Sequence, residues 1–283
     1  TEVIIHSYEE YGNMCGEKFN GMFAFAVWDS KKKELFLARD RLGIKPLFYF
    51  MDGKKFAFAS EIKAILQYYK NPSIDEKSVY FYLNYGYTQN NKTIFRNIYK
   101  LPAGCTLTIK DSKFKIERYW KLDFSAKLDE SEDYFIKKTR KHMEEAVKRR
   151  LIADVPVGAF LSGGLDSSAI VAYITKYKDD LKTFSVGFDY DKFDESKYAK
   201  IVSEQFGTDH HQMQFTHEDV IKLLPKIVDY YDEPFGDPSM IPTYLVSKIA
   251  RKHVTVSLSG DGGDESFLGY DRYKQYKLIN YQN

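Results

Sequence analysis

The sequence of 283 residues holds only two cysteines, Cys15 and Cys105. Two thiols this far apart make neither a disulfide framework nor a zinc-ligand pattern. They are expected to be reduced, structural thiols, as in a cytoplasmic protein. No apolar run reaches the roughly 18 residues a membrane span needs, and the N-terminus shows no signal-peptide core. A membrane is therefore not an expected partner. An excess of charge of either sign is also missing: 42 basic and 40 acidic residues leave a net charge of +2. That balance gives no electrostatic argument for nucleic acid. The short basic run Lys31-Lys32-Lys33 reads as a solvated turn. Internal repeats and low-complexity segments are absent. So are the two common phosphate fingerprints, G-x-x-x-x-G-K-[ST] and G-x-G-x-x-G.

Aromatic residues, in contrast, are plentiful, with 23 Tyr and 21 Phe. Most punctuate apolar strands, as in Phe48-Tyr49-Phe50, and are expected in a core. An amphipathic helix opens the chain (Val3, Ile4, Tyr8, Tyr11). Residues 1–125 then read mainly as antiparallel strands. Residues 21–28 and 34–38 form a hairpin pattern about the turn at 29–33, and 47–50 and 55–59 repeat it about Gly53. Residues 60–66 switch to helical spacing, with Ser60 as the expected cap. Further short strands surround Pro102-Ala103-Gly104. A polar stretch near 123–131 reads as a linker. Beyond it the period changes. A helix over 132–150 leads into strand 155–161, helix 167–177, strand 183–188, helix 196–206 and strand 211–215. Helices near 217–230 and 240–252 and a strand over 254–258 follow. Strands alternating with helices predict a doubly wound parallel sheet, whose ligands sit beyond the carboxyl ends of the strands.

The most informative stretch is Ser162-Gly163-Gly164-Leu165-Asp166-Ser167-Ser168. It joins an apolar strand to a helix, which is a device for holding phosphate. Adjacent glycines let backbone N–H groups converge on an anion, and the helix start adds more. A plain turn would need one capping group, not four hydroxyl or carboxylate groups with two glycines. With no lysine, the loop suits pyrophosphate better than a transferred γ-phosphate. Asp166 has two readings, cap of the helix and magnesium ligand, and both stay open. A second loop, Ser259-Gly260-Asp261-Gly262-Gly263-Asp264-Glu265, repeats the design after strand 254–258. If the two strands are close, Asp166 and Asp264 share a Mg²⁺, which takes few carboxylates and keeps phosphate oxygens and waters. The spacing excludes an EF-hand. The proline-rich stretch 231–242 reads equally as pocket lining or as plain connection. His210 and His211 point to opposite faces of a strand, which favours structural roles over metal ligation.

Together these motifs resemble the glutamine-dependent asparagine synthetases. The 162–168 loop is similar to that family's pyrophosphate loop, and 258–265 to its second ATP-site loop. Residues 21–29, 38–47 and 59–63 resemble the later part of its glutaminase domain. The resemblance implies an α/β protein in two parts. Residues 1–125 would be the C-terminal part of an N-terminal-nucleophile (αββα) glutaminase domain. Residues 130–283 would be a doubly wound ATP-pyrophosphatase domain. It implies a ligase of amino-acid biosynthesis that uses ATP, Mg²⁺, aspartate and glutamine or ammonia. In that family the aspartate side chain is adenylated, pyrophosphate leaves, and ammonia then displaces AMP. Carried over by motif, Leu161 and Ser162 through Ser168 contact ATP, Val186 packs on adenine, and Ser259 and Gly260 touch ATP. Asp261 stands where the family often has a Glu important for forming the acyl-adenylate. The metal ligands expected from the loops themselves are Asp166 and Asp264.

The resemblance departs at both ends. Residue 1 is Thr, and its surroundings match the middle of the glutaminase domain, so the N-terminal Cys nucleophile of that family is not expected here. The family's C-terminal helices are not expected either, and the chain reads as a fragment without glutaminase activity of its own. Two alternatives remain open: another acyl-adenylating amidotransferase of the same scaffold (β-lactam synthetase-like or modifying a cell surface), and a non-catalytic ATP-binding remnant. A homodimer is also left open.

Overall fold

The computed structural model describes residues 1–89, 91–189 and 194–273. The chain forms two units: residues 1–127 with Val228–Asp237, and residues 128–227 with the stretch from Pro238 onward.

The first unit begins with α1 (Glu2–Tyr11) and a 3₁₀ turn at Gly12–Lys18. Strands β1 (Ala24–Asp29), β2 (Glu34–Arg39), β3 (Phe48–Asp52) and β4 (Lys55–Ala59) follow. Next come α2 (Ile62–Tyr68), α3 (Glu76–Tyr85), β5 (Ile98–Lys100), β6 (Cys105–Lys110) and β7 (Lys113–Arg118). The strands make two antiparallel sheets, ordered β1-β2-β6-β7 and β4-β3-β5.

The period-2 alternation of each strand decides the layering. Leu37 and Leu107 of one sheet meet Tyr49 of the other in a shared core. Phe36 and Ala38 face the opposite way, onto Tyr8 of α1 and Cys15. Phe50 and Ile98 face outward onto Ile62 and Ile65 of α2. The result is a helix–sheet–sheet–helix sandwich, the αββα arrangement. Both cysteines are free and buried inside it, and burial raises both thiol pKa values. Neither is therefore an activated nucleophile.

The segment at 39–45 is held by its own side chains. The buried Asp40 carboxylate accepts N–H bonds from Phe23, Leu42, Ile44 and Lys45. Arg39 donates to the carbonyls of Gly43, Lys45 and Leu101. One expectation fails here. Ser60 does not cap α2; the preceding residue is Glu61, without a side-chain cap, and the Ile62 N–H donates instead to Asp232. A carboxylate 170 positions away supplies the cap.

The second unit contains α4 (Glu132–Arg150), β8 (Val157–Phe160), α5 (Leu165–Ile174), β9 (Lys182–Phe188), α6 (Ser196–Phe206) and β10 (Asp209–Phe215). It continues with α7 (His217–Tyr230), α8 (Met240–Ala250), β11 (Val256–Leu258) and α9 (Gly263–Phe267). The expected elements are present with ends shifted by a few residues. Helix α5 starts at Leu165, not 167, and β10 starts at Asp209, not 211.

All four strands are parallel, in the order β10-β9-β8-β11. Val157, Ala159 and Leu161 pack on Val147 of α4, Val171 of α5 and Ala199 of α6. On the other face, Phe160, Phe184, Val186 and Phe188 pack on Leu245, Val246 and Ile249 of α8. Helices cover both faces, so the sheet is doubly wound. The chain runs outward from β8 to β9 and β10, then returns to the far side of β8 as β11. The strand order therefore reverses between β8 and β11, which is where such sheets bind ligands. Among the described residues, no helix is long and apolar enough to cross a membrane.

Candidate functional site

Parallel pairing sets β8 beside β11, with Ala159 opposite Leu258. Both strands end on the same edge of the sheet. The loop after β8 starts at Leu161, whose N–H bonds the Phe184 carbonyl at 2.8 Å. It is closed by its own serines. Ser162 Oγ accepts from the Gly164 N–H at 3.2 Å and lies 3.0 Å from Ser167 Oγ. Ser167 Oγ lies 3.2 Å from the Gly164 carbonyl and accepts from the Ser162 N–H at 3.3 Å.

Gly163 has φ 84°, and a Cβ there would overlap main-chain atoms of Tyr198 and Ala199 in α6. The loop is pressed against α6 and admits only glycine at that point. Helix α5 has Gly164 as its N-cap residue and no side-chain cap. The structure thus removes one reading of Asp166: it is not the helix cap. The uncapped first turn keeps N–H groups and a positive dipole end for an anion. The Ser168 hydroxyl is buried without a hydrogen-bond partner among the described residues.

The loop after β11 packs directly on Asp166. A Cβ on Gly260 would sit 2.8 Å from Asp166 Cβ and 2.9 Å from the Ser167 nitrogen, and one on Gly263 would overlap the Asp166 carboxylate. The glycines of the second loop are thus what allow the two loops to meet. Burial raises the Asp166 pKa, and the charges of Asp264 and then Glu265 raise it further. Glu265 is engaged by the Tyr270 hydroxyl at 2.8 Å, which lowers its pKa. Asp166 and Asp264 remain as mutually repelling carboxylates whose neighbourhood favours a cation. Among the described residues, no three His, Cys, Asp or Glu side chains are grouped to hold a metal ion. Two carboxylates nonetheless fit Mg²⁺, which completes its shell with phosphate oxygens and water.

Beside the loops lies a cavity of about 900 Å³. Leu161, Ser162 and Val186 line it, so three of the sequence-derived residues meet there. Gly163 through Ser168, Ser259 and Gly260 do not line it; they form the loop pair next to it. Asp261 is exposed, and its carboxylate accepts from Ser259 Oγ at 2.9 Å within its own loop.

Sequence reasoning missed most of the cavity wall. Phe160 and Phe188 lie on the same strand faces as Val186, and Pro238, Ile241 and Pro242 close the other side. The proline cluster was the available signal. The stretch 231–242 proves to be both things it was read as: Val228–Asp237 packs with the first unit, while Pro238 onward walls the cavity of the second. His210 and His211 are held by hydrogen bonds and ring packing. His210 lies between Thr183 Oγ1 at 2.9 Å and Ser185 Oγ at 3.1 Å, and burial lowers its pKa. His211 stacks on Phe184 and His253.

Comparison with known proteins decides the family. Residues 138–282 match the asparagine synthase family model, and residues 1–120 match the glutamine amidotransferase domain model. The first match covers more than half of the chain. The chain belongs to the asparagine synthase family. It is 45% identical over 278 residues to a putative glutamine-hydrolyzing asparagine synthetase of Methanocaldococcus jannaschii, covering 95% of this chain and 53% of the relative. It is 38% identical over 276 residues to glutamine-hydrolyzing asparagine synthetase 1 of Bacillus subtilis, covering 97% of this chain and 44% of the relative. The chain therefore spans about half the length of the curated relatives it matches. A solved glutamine-dependent NAD⁺ synthetase of Acinetobacter baumannii aligns with 94% of this chain and 65% of its own, at 13% identity and a TM-score of 0.33. So loose a superposition assigns no residue. The asparagine synthase match and the loop pair of the parallel sheet lie in the same part of the chain.

Proposed function

We propose that the protein to which this chain belongs makes asparagine from aspartate, ATP and ammonia released from glutamine. Residues 1–125 take the glutamine amidotransferase role and 130–283 the ATP-pyrophosphatase role. One observation carries the reading: two Gly/Ser/Asp loops from adjacent parallel strands close on Asp166 at the point where strand order reverses, beside a 900 Å³ cavity.

In this reading the cavity holds the nucleoside of ATP, with Val186 against the base and Leu161 and Ser162 at its edge. The triphosphate lies over the start of α5. Gly163 and Leu165 offer main-chain N–H groups there, with Gly164 holding the turn through Ser162 Oγ; Ser167 and Ser168 add hydroxyls, and Ser259 and Gly260 close from the other loop. Asp166 and Asp264 hold Mg²⁺, which when bound offsets charge on the departing pyrophosphate. A carboxylate oxygen of aspartate forms a bond to the α-phosphorus, and the bond from that phosphorus to pyrophosphate breaks. The product is β-aspartyl-AMP. Ammonia then forms the amide bond, loses a proton and releases AMP. Fixed N–H donors need no rearrangement as charge moves onto pyrophosphate, which is why a preorganised loop accelerates this step. Asp261 assists acyl-adenylate formation, and does so once its bond to Ser259 is exchanged for substrate.

The test is aspartate-dependent exchange of labelled pyrophosphate into ATP, with Mg²⁺-ATP affinity measured by calorimetry. Asp166→Asn and Asp264→Asn are each expected to weaken Mg²⁺-ATP binding at least about tenfold, the effect of losing one charge-assisted contact. Unchanged affinity in both variants would reduce these carboxylates to structural groups. Exchange that ignores aspartate would assign another acceptor.

A further inference from the structure

The cavity of the second unit has two unlike ends, and every residue that lines it belongs to that unit. Ser162, after β8, marks the end beside the loop pair. Asp189, after β9, and His217, at the start of α7, mark the other end, together with Glu195 and Ser196 at the start of α6. The sheet order β10-β9-β8-β11 sets the two ends about two strand spacings apart, about 10 Å. Between them the wall is apolar, with Phe184, Val186 and Phe188 facing Ile241 and Val246. Among the described residues, Asp189, Glu195 and His217 are the only ionisable groups that line the cavity.

Main-chain contacts set both carboxylates of the far end in place. The Asp189 N–H donates to the Phe215 carbonyl at 3.3 Å, and the Asp189 carboxylate accepts the His217 N–H at 3.4 Å. Glu195 is the N-cap residue of α6, and its carbonyl accepts the Tyr198 and Ala199 N–H groups. Its neighbour Asp194 accepts the Ser196 N–H at 3.1 Å and the Gln214 amide at 3.5 Å. Gly187 leaves room for that amide, which a Cβ at this position would overlap. The Glu195 carboxylate enters no hydrogen bond or ion pair among the described residues. Ser185, also on the wall, has its hydroxyl engaged by His210 at 3.1 Å.

An ionised carboxylate only accepts hydrogen bonds. The far end therefore favours a ligand edge that carries N–H groups, and it repels phosphates toward the loop pair. With the triphosphate over the start of α5, the base lies at the far end, and the purine edge remote from the sugar carries the 6-amino group. We propose that Asp189 and Glu195 select the base of the nucleotide: their carboxylates accept the 6-amino group of adenine, and a purine without that donor binds less well. This rests on the ATP reading of the cavity. Both residues are exposed, so water replaces part of the lost bond. The preference is about tenfold, below the far larger factors of a sealed polar pocket.

The experiment is calorimetric titration of the full chain, with Mg²⁺, by three nucleotides: ATP, purine riboside 5′-triphosphate (hydrogen in place of the 6-amino group) and 2′-deoxy-ATP. Wild type, Asp189→Ala, Glu195→Ala and the double variant are compared, with Tm for each. The wild type should prefer ATP to purine riboside triphosphate about tenfold. In the double variant that preference should fall to near parity, with affinity for purine riboside triphosphate kept. Glu195→Ala removes no side-chain contact within the chain, so it should keep its Tm and lose part of the preference even if Asp189→Ala unfolds. Equal affinity of the wild type for ATP and purine riboside triphosphate overturns the proposal, and so does an undiminished preference in the variants that fold. A change confined to the ratio of ATP to 2′-deoxy-ATP assigns the carboxylates to the sugar and overturns it as well. No ATP binding by the wild-type chain overturns the ATP reading itself, and this one with it.

Discussion

Gly163 and Gly164 are adjacent and identical, yet the structure asks different things of them. Gly163 sits at φ 84° with the main chain of Tyr198 and Ala199 where a Cβ would go. Alanine there is disfavoured by about 1–2 kcal/mol for the left-handed backbone. Forcing a methyl against main-chain atoms adds about 1–3 kcal/mol, because neither Tyr198 nor Ala199 can yield by a rotamer change. Gly163→Ala should therefore lose about 2–5 kcal/mol of stability, or move the loop off α6 and lose Mg²⁺-ATP affinity instead. Gly164 has φ −68° and ψ 166°, an ordinary extended backbone, and a Cβ would meet only Ser162 Oγ at 3.3 Å. That hydroxyl belongs to a side chain that can turn. Alanine is a poorer helix cap than glycine but also narrows the unfolded ensemble, so Gly164→Ala should stay within about 1 kcal/mol of wild type. Urea unfolding of both variants, with calorimetric titration of Mg²⁺-ATP, makes the comparison. Equal stability and affinity in Gly163→Ala and wild type would refute the argument. So would equal damage from both substitutions.

Two further predictions concern groups outside the loops. Asp40→Asn replaces one carboxylate oxygen with a donor and orphans two of its four N–H partners. The chain should lose about 2–6 kcal/mol at about 1–3 kcal/mol per orphan, read as a lower urea midpoint. His210 has its pKa lowered by burial, so the unfolded chain binds more protons than the folded one below the ordinary histidine value of about 6.5. Stability should fall as pH drops from 7.5 to 5.5. His210→Gln should flatten that part of the curve, and identical pH slopes in both proteins would remove His210 as the cause.

Local pattern carried much of this. Short apolar runs flanking turns, such as 34–38 and 47–50, identify strands, and the apolar strand before Ser162 identifies a β-loop-α phosphate device. These signals are visible because a residue's face follows from its position along the strand. The cap of α2 was not visible: Ile62 is satisfied by Asp232, and no local rule links residues 170 apart. The same holds for Asp166. Its neighbours alone make it a reasonable helix cap, and only the approach of Gly260 and Gly263 shows it facing another loop.

The sequence by itself determined the element types, the family resemblance and the Gly/Ser/Asp chemistry, since backbone freedom, side-chain face and functional groups are properties of short segments. Tertiary structure decided what meets what. Parallel pairing of β11 with β8 brought the two loops together, packing on α6 made Gly163 obligatory and Gly164 ordinary, and hydrogen bonds to Asp232 and Glu233 divided one proline-rich stretch between two units. Those outcomes depend on groups far apart in the chain competing for the same space and the same hydrogen bonds, which no short stretch of sequence encodes.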